Sequence, residues 1–282
     1  MEIRLLEPQY DFLTSPARIA CFVGGIGCGK SFTLAQFCFS SVVNYPNTTG
    51  LLVANTYSQL INATIPKLTS FLDEAGVKYT LSLGTKKYIK IGKTEILIYS
   101  LENYDVIRGI EVGWIAGDEI SFSSKEAIDV ILGRMRCPRG PLQARFATTT
   151  NGFNWFYDWV KDPKQKIDEF TMRTKDNPHL PEGYYDLQVA NFGGENTPKA
   201  RQELFGEYVN ALQGLVYHNF KRSLHVKETK EDPNQLVYVC CDFNAGNMNY
   251  VAFQYTREGF KVIKSQTLYD FLYFFIHRSS DN

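Results

Sequence analysis

The sequence lacks a net charge, a long apolar run and a paired-cysteine motif. Its 30 Lys and Arg residues balance 30 Asp and Glu residues, so whole-chain charge indicates no nucleic-acid partner, although a local basic face stays compatible with one. No segment approaches the roughly 20 apolar residues of a membrane-spanning helix. Hydrophobic residues make up 44% of the chain and aromatic residues 14%. We therefore expect a packed globular protein without a membrane partner.

The six cysteines show no CxxC spacing. Free, reduced thiols are expected, without a disulfide or a zinc site. Cys240 and Cys241 are adjacent within an apolar run, which predicts that both lie in a core.

Apolar runs of strand length alternate with helical patterns through the first half of the chain. This order predicts an α/β sheet with helices on both faces. The predicted strands are residues 18–23, 51–55, 112–117 and 144–149, with a hairpin formed by 87–91 and 95–100; the predicted helices are 31–43, 57–75 with a break at Pro66, and 124–132.

The pattern changes after Asn151. Residues 152–210 are typical of a smaller, mostly helical annex, and a new β pattern begins at Leu236. About three strands follow, fewer than an independent sheet domain usually has. A second domain is expected to start there and to be incomplete in this chain.

The segment FVGGIGCGKSFT is the strongest functional signal. Gly24, Gly29, Lys30 and Ser31 satisfy the pattern G-x-x-x-x-G-K-[ST] between a predicted strand and a predicted helix. Backbone N–H groups of such a loop hold phosphates, the lysine reaches the β and γ oxygens, and the serine hydroxyl ligates Mg²⁺. The alternative is an ordinary glycine-rich turn before a helix. The predicted ATP-binding residues of this loop are Gly24, Gly25, Ile26, Gly27, Cys28, Gly29, Lys30, Ser31 and Phe32.

Two acids close the apolar segment WIAG. Asp118 is the candidate Mg²⁺ partner of a phosphate loop, and Glu119 is the candidate base that orients the attacking water. A helix N-cap is the alternative interpretation of this position. The next strand ends in ATTTN, where Thr150 and Asn151 are candidates for sensing the γ-phosphate or, alternatively, ordinary turn residues.

In this order the residues resemble the large terminase subunit of tailed bacteriophages or prophages. The resemblance follows LEPQYDFL, GGIGCGKS, VIRG ahead of WIAGDE, TTTN, the DNP near residue 177, FGEYV with GLVYHNF, and CCDFN. It implies an additional-strand P-loop ATPase domain over residues 1–210, with a helical lid over about 152–210. A linker over 211–235 and the start of an RNase H-like nuclease domain over 236–282, truncated in this chain, are implied as well.

The resemblance also implies roles for individual residues. Gln9 matches the glutamine that contacts adenine; the alternative is an ordinary surface glutamine. Arg108 matches an arginine finger that reaches a neighbouring subunit's γ-phosphate; the alternative is an arginine that pairs with a surface acid. Thr150 and Asn151 align with the motif that couples hydrolysis to movement. Asp242 matches the first metal-binding aspartate of the nuclease, whose pair of Mg²⁺ or Mn²⁺ ions needs several carboxylates. Asp270 is a substitute for a missing acid, or else a cap or turn residue.

The implied activity is ATP-driven translocation of double-stranded DNA into the procapsid. The implied partners are DNA, the portal protein, the small terminase subunit and further copies of the chain in a pentameric ring, with a monomer in isolation. The implied location is the host bacterial cytoplasm, transiently on the procapsid portal and not in the mature virion. Candidate DNA contacts, none of which we assign as site residues, are Arg134, Arg136, Arg139, Lys161, Lys164 and Lys166.

Two other classes of function fit the same phosphate loop. A P-loop phosphotransferase acting on a small molecule would work as a monomer without stimulation by DNA. A nucleotide-gated assembly protein without catalysis would tolerate the loss of Glu119.

Overall fold

A computed structural model describes residues 4–209, 222–243, 247–256 and 259–269. The chain divides into two compact units, Met1–Gln213 and Gly214–Asn282.

The first unit is built around an eight-stranded sheet with the order β3-β4-β5-β2-β6-β7-β1-β8. Its strands are β1 (Ile19–Gly24), β2 (Thr49–Ala54), β3 (Thr80–Leu83), β4 (Lys87–Ile91), β5 (Thr94–Ser100), β6 (Trp114–Asp118), β7 (Gln143–Thr148) and β8 (Ile167–Met172). The strands from β5 to β8 in this order run parallel, and the β3-β4-β5 edge is antiparallel. This architecture confirms the predicted α/β class with a mostly parallel sheet.

Helices cover both faces of this sheet. They are α1 (Glu7–Thr14), α2 (Lys30–Asn44), α3 (Tyr57–Gln59), α4 (Ile65–Glu74), α5 (Lys125–Leu132), α6 (Trp155–Lys161), α7 (Tyr184–Asn191) and α8 (Pro198–Phe205). Successive residues of a strand face opposite sides of the sheet. Accordingly, Leu51 and Val53 pack with α5 and α6 on one face, while Leu52 and Ala54 pack with α2 and α4 on the other. The central strands therefore read as continuous apolar runs because both of their faces are buried.

Three details of this unit differ from the sequence predictions. The helix predicted over residues 57–75 has no break at Pro66; instead, a π-helical turn, Leu60–Thr64, joins α3 to α4. The proline occupies the first turn of α4, where a missing N–H group costs little. Strand β3 was not predicted from the sequence. Neither was β8, which lies within the segment predicted to be mostly helical and pairs in parallel with β1.

Strand β8 was missed because it is an edge strand. Its sequence, IDEFTM, carries two acids, and most of its side chains are only half-buried. A strand with one covered face and one free edge shows no continuous apolar run. The segment after Asn151, which was predicted to be mostly helical, therefore also contains a strand at residues 167–172.

The second unit contains a three-stranded antiparallel sheet with the order β11-β10-β9. Its strands are β9 (Tyr238–Phe243), β10 (Asn247–Thr256) and β11 (Gly259–Tyr269), preceded by the short helix α9 (Arg222–His225). The three strands match the predicted β pattern. Cys240 and Cys241 on β9 are exposed rather than in a core. Neighbouring strand residues face opposite sides, so within the described residues neither side of β9 is covered at these positions.

All six cysteines are free thiols. Within the described ranges, no helix is both long and apolar enough to cross a membrane.

Gly50 gives a test of the sheet packing. A Cβ atom at this position would lie 2.0 Å from the indole of Trp114, which is fully buried on the adjacent strand. We expect Gly50→Ala to lower the free energy of unfolding by about 1–3 kcal/mol, because a close-packed core does not accept an added methyl group without strain. Urea denaturation monitored by circular dichroism measures this change.

The matched control is Gly84→Ala, since apart from its own chain neighbours no atom of the described residues lies within 4 Å of a Cβ at that glycine. A Gly50→Ala protein as stable as the control would contradict the packing described for β2 and β6.

Candidate active site

The phosphate loop connects β1 to α2 at the carboxyl edge of the sheet. Gly27 and Gly29 have φ angles of 72° and 97°, in the left-handed region that favours glycine. Gly29 is the residue that precedes α2. The first N–H groups of this helix, from Lys30 onward, have no partner within the helix and bring a partial positive charge to the loop. The sequence thus folds into an anion-binding helix terminus.

Gly24 and Gly25 serve close packing instead. A Cβ atom on Gly24 would lie 2.5 Å from Cys28 Sγ, and one on Gly25 would lie 2.3 Å from Thr174 Oγ1. Cys28 itself is buried in a core cluster with Phe12, and burial raises the pKa of its thiol. The two glycines therefore shape the loop by close packing of the backbone, whereas Cys28 contributes a buried side chain.

The segments after β8 hold the phosphate loop in place. Thr174 Oγ1 donates to the carbonyl of Ile26 at 2.7 Å, and Asn177 Nδ2 donates to the carbonyl of Gly27 at 2.7 Å. The Ile26 N–H donates to the carbonyl of Glu203 at 2.7 Å. The loop conformation thus depends on residues that are distant in the chain, between Thr174 and Glu203.

Lys30 is buried at the base of the loop. Its Nζ donates to the carbonyls of Gly24 and Gly25, both at 3.0 Å, and lies 3.7 Å from Glu119 Oε1. The ammonium is therefore held by the loop itself and by an acid across the site. A phosphate group would have to replace these carbonyls as its partners.

Asp118 lies at the end of β6 and is almost fully buried. Its Oδ2 accepts hydrogen bonds from Ser31 Oγ at 3.0 Å and Thr64 Oγ1 at 2.5 Å. Burial, and secondarily the charge of Glu119, raises the pKa of this carboxyl to about 6, while the two hydroxyls and Lys30 act in the opposite direction. The ionised form of Asp118 is therefore unfavourable in free energy unless a cation lies beside it.

The residues around Asp118 fit a hard divalent cation. The second carboxylate oxygen, Oδ1, is buried and has no hydrogen-bond partner among the residues that the structure describes, which is unusual for a buried polar atom. A carboxylate and a serine hydroxyl are oxygen donors of the kind that Mg²⁺ prefers, with phosphate and water oxygens completing its shell. In the described part of the chain, no group of three or more His, Cys, Asp or Glu residues could hold a metal ion, so an ion here would depend on a bound phosphate.

Glu119 follows Asp118 in a strained conformation. Its φ and ψ angles of 49° and 44° place it in the left-handed region, and its N–H donates to the carbonyl of Ala147 at 2.7 Å. Such conformations in non-glycine residues are costly and cluster at functional sites. The Oε2 atom accepts from the Thr149 N–H at 2.8 Å, and Oε1 lies 3.3 Å from the donating Thr149 Oγ1.

The end of β7 therefore contacts Glu119 through residues that were not predicted from the sequence. Thr149 binds the carboxylate, and Thr148 Oγ1 lies 3.4 Å from Oε2. The predicted residue Thr150 is buried and donates to the carbonyl of Glu207 at 2.7 Å, and Asn151 is half-buried beside it. The run of three threonines was a readable signal that this strand end offers hydroxyl groups to the site. It did not show which of them contact Glu119, because successive residues of a strand point in different directions.

A cavity of about 840 Å³ lies above the loop. The residues predicted for nucleotide binding or catalysis that line it are Gln9, Ile26, Gly27, Gly29, Lys30, Ser31, Phe32 and Glu119. Gln9 on α1 is buried, accepts from the Leu6 N–H at 3.0 Å, and places its Nε2 against Gly29. The volume suits a ligand of the size of a nucleotide.

Further lining residues were not identified from the sequence. They are Arg4, Lys67, Phe71, Glu74, Asn177 and His179. Lys67, Phe71 and Glu74 are spaced by four and three residues on α4, which is the spacing of one helix face and was a readable signal. Phe71 also packs edge-to-face on Phe32, with ring centroids 5.2 Å apart.

Arg108 lies outside this cavity. It is 60% exposed at the end of a 3₁₀ helix, Leu101–Gly109, and its Nε pairs with Asp105 Oδ1 at 2.8 Å. Arg134 Nη1 donates to the Arg108 carbonyl at 2.6 Å and so holds this segment in place. The guanidinium is therefore on the surface rather than at the site of its own chain.

Other predicted positions are distributed elsewhere. Asp242 lies on β9, opposite Asn249 in the strand pairing, and is exposed. Asp270 lies outside the described residues. Of the basic candidates, Arg136 pairs with Glu111 and Lys161 pairs with Glu169.

The phosphate loop follows β1, and the buried Asp118 ends β6, which is two strands away in the sheet. Together with the cavity, they define a P-loop nucleotide site in a mostly parallel α/β sheet. Residues 21–223 match the family model described as terminase large subunit, T4likevirus-type, N-terminal. The chain belongs to this family, whose members are ATPases of viral DNA packaging. The predicted resemblance is thereby confirmed.

Solved structures show the same fold. The large terminase of a thermophilic bacteriophage has a TM-score of 0.64 and 16% identity, over 95% of this chain and 69% of that one; it has also been solved with ADP and with ATP-γ-S. The ATPase domain of the Thermus phage P74-26 large terminase has a TM-score of 0.54 and 18% identity, over 73% and 94%. The Phi-28 gp11 DNA packaging motor has a TM-score of 0.51 and 10% identity, over 96% and 82%. No curated protein matches the chain at a significant level.

The raised pKa of Asp118 predicts how stability depends on pH without nucleotide or Mg²⁺. Because the folded-state pKa of about 6 exceeds the ordinary value of 3.8, the folded state binds more protons between these values, and stability falls as pH rises through this window. Asp118→Asn should remove this slope. Above pH 6 it should stabilise the protein by on the order of 2–3 kcal/mol.

Urea denaturation from pH 4 to pH 8 measures this effect. The control is Asp105→Asn, which removes an exposed acid that pairs with Arg108. If the free energy of unfolding depends on pH equally in the wild type and in Asp118→Asn, the raised pKa of this carboxyl is contradicted.

Proposed function

We propose that this chain binds ATP with Mg²⁺ in the cavity above the phosphate loop and hydrolyses it to translocate double-stranded DNA into a procapsid. The observation that carries the proposal is the hydrogen bond between Ser31 and the buried Asp118, whose second carboxylate oxygen has no hydrogen-bond partner within the described ranges. Family membership supports the packaging role. The ADP and ATP-γ-S complexes of the structurally similar terminase support nucleotide binding.

The proposed binding mode follows from the donors available. The β-phosphate docks on the N–H groups that begin α2, and Lys30 exchanges the carbonyls of Gly24 and Gly25 for phosphate oxygens. Gln9, whose amide lies beside Gly29, is placed to contact the adenine edge. Asp118 Oδ1 and the Ser31 hydroxyl would hold Mg²⁺, which when bound neutralises charge that develops on the phosphates.

The proposed base is Glu119. Its carboxylate orients a water molecule and accepts its proton as the new bond to the γ-phosphorus forms and the bond to the bridging oxygen breaks. Thr149 and Lys30 fix the position of this carboxylate at present. Lys30 must leave Glu119 for the phosphates, which frees Oε1 as an acceptor when the substrate is bound.

Coupling to movement is proposed to pass along the end of β7. Thr149 contacts Glu119, and its neighbour Thr150 contacts the Glu207 carbonyl just beyond α8. Asn151, the next residue, is the second proposed coupling residue. Glu203 and Asn177 also bind the phosphate loop. Loss of the γ-phosphate would therefore act on the proposed lid over residues 152–210 by two routes, the end of β7 and the phosphate loop.

The proposed assembly is a pentameric ring on the procapsid portal in the host cytoplasm, fed by the small terminase subunit. Arg108 supports a ring, because its exposed guanidinium lies outside its own site and suits the spread negative charge of a neighbour's transition state. The proposed domains remain 1–210 for the ATPase, 211–235 for the linker and 236–282 for the start of a nuclease. Asp242 would contribute one ligand of a nuclease metal pair, which needs further carboxylates.

Two substitutions separate binding from hydrolysis. Lys30→Ala should abolish detectable binding of ATP-γ-S, because the charge that neutralises the phosphates is lost. Glu119→Gln should keep the affinity for ATP-γ-S within about threefold but lower the DNA- and portal-stimulated ATPase rate by about 100-fold or more. Calorimetry and a phosphate-release assay measure the two effects.

A further variant, Glu126→Gln, is the control for charge, because this acid lies in the first turn of α5. Full hydrolysis by Glu119→Gln would favour the assembly-protein alternative. Equal rates with and without DNA, in a monomer, would favour the phosphotransferase.

The position of Arg108 predicts a loss of catalysis without a loss of binding. Arg108→Ala should leave the affinity for ATP-γ-S unchanged and lower the ATPase rate on portals by about 10³-fold, which is the scale of an arginine finger. Arg136→Ala, another exposed arginine paired with an acid, is the matched control. If Arg108→Ala and Arg136→Ala retain equal rates, the finger lies elsewhere.

A further inference from the structure

Thr64 is a buried hydroxyl on the wall that faces the phosphate loop. Its side chain is fully buried, and its Oγ1 donates to Asp118 Oδ2 at 2.5 Å. Ser31 Oγ donates to the same oxygen at 3.0 Å. The loop side and the opposite helix thus hold one carboxylate oxygen between them, and the other oxygen, Oδ1, has no hydrogen-bond partner in the described part of the chain.

The backbone around Thr64 is unusual. It ends the π-helical turn Leu60–Thr64, in which the Ile65 N–H donates to the Leu60 carbonyl five residues earlier. A π turn inserts one residue into a helix, and each residue of a regular helix turns by about 100°. The insertion therefore sets which face of the helix Thr64 occupies. Such turns are rare and occur frequently at functional sites.

We propose that Thr64 is a positioning residue for Asp118, and that the π turn exists to place its hydroxyl there. By fixing Oδ2 from outside the loop, Thr64 directs the unpartnered Oδ1 toward the divalent cation bound with the nucleotide. This inference rests on the proposed function. It adds a residue immediately before α4, beyond the phosphate loop and the acidic strand end, that determines cation affinity.

The same helical segment continues into the wall of the cavity. Lys67 and Phe71 lie one and two turns beyond Thr64 and line the nucleotide cavity. The hydroxyl that contacts the carboxylate and these lining residues therefore lie on one continuous helical segment.

Three substitutions test the role of the hydroxyl. Thr64→Val removes it and keeps the shape, and Thr64→Ser keeps it. Thr69→Val is the matched control, because Thr69 Oγ1 donates to the Ile65 and Pro66 carbonyls of its own helix and also interacts with Tyr79, and among the contacts described it is not a partner of Asp118. The measurement is ATP-γ-S binding by calorimetry, in EDTA and across a series of Mg²⁺ concentrations, with the fold checked by circular dichroism.

In Thr64→Val we expect the half-saturating Mg²⁺ concentration to rise by about 10- to 100-fold, the scale found for partners that orient metal ligands. Affinity in EDTA should stay within about twofold. Thr64→Ser should return the Mg²⁺ dependence to within about threefold of the wild type, and Thr69→Val should not change it. This pattern is not produced by a general loss of packing.

An unchanged Mg²⁺ dependence in Thr64→Val would overturn the proposal. So would an equal loss in Thr69→Val, a failure of Thr64→Ser to restore binding, or a loss of affinity in EDTA as large as that in Mg²⁺. A wild-type chain that binds no ATP-γ-S at all would instead overturn the proposed function itself, and these two failures are distinct.

Discussion

The site depends on one hydrogen bond, from the Ser31 hydroxyl to the Asp118 carboxylate. It joins the start of α2 to the end of β6, across β7, which lies between β1 and β6 in the sheet. Parallel strands bring their carboxyl ends to one edge, so a loop after β1 and an acid after β6 meet above β7. The glycines that bend the loop, the threonines that end β7 and the helix α4 all take positions around this contact.

The charges at this contact explain why the site is built for a ligand. One buried ammonium, from Lys30, faces two carboxylates, from Asp118 and Glu119. A buried acid that is incompletely paired reduces stability, as the raised pKa of Asp118 reflects. A magnesium-bound triphosphate would supply both the cation that Asp118 lacks and the anion that Lys30 needs. The strain on Glu119 and the unpartnered Oδ1 are therefore consistent with a site completed by its substrate.

Much of this arrangement could be predicted from the sequence, because local patterns determine it. The phosphate loop requires glycine at positive φ at Gly27 and Gly29, and the acids follow an apolar run that can be read directly. The contact of Glu119 with Thr149 rather than Thr150 could not be read, since it depends on which side chains of a strand end face the acid. Strand β8 was hidden by the two acids of an edge strand. Thr64 and Asn177 reach the site through folding that brings distant segments together, which no periodicity encodes. Cys240 and Cys241 show the limit of apolar runs, because a run predicts burial only where another layer covers the strand.

A structure of the chain with Mg²⁺ and ATP-γ-S tests the account most directly. It should show the β-phosphate on the N–H groups of Gly29, Lys30 and Ser31, and Lys30 Nζ moved from the Gly24 and Gly25 carbonyls to the phosphates. The ion should lie against Asp118 Oδ1. A nucleotide bound elsewhere, or a cavity that holds no nucleotide at saturating ligand, would contradict the assignment of this site.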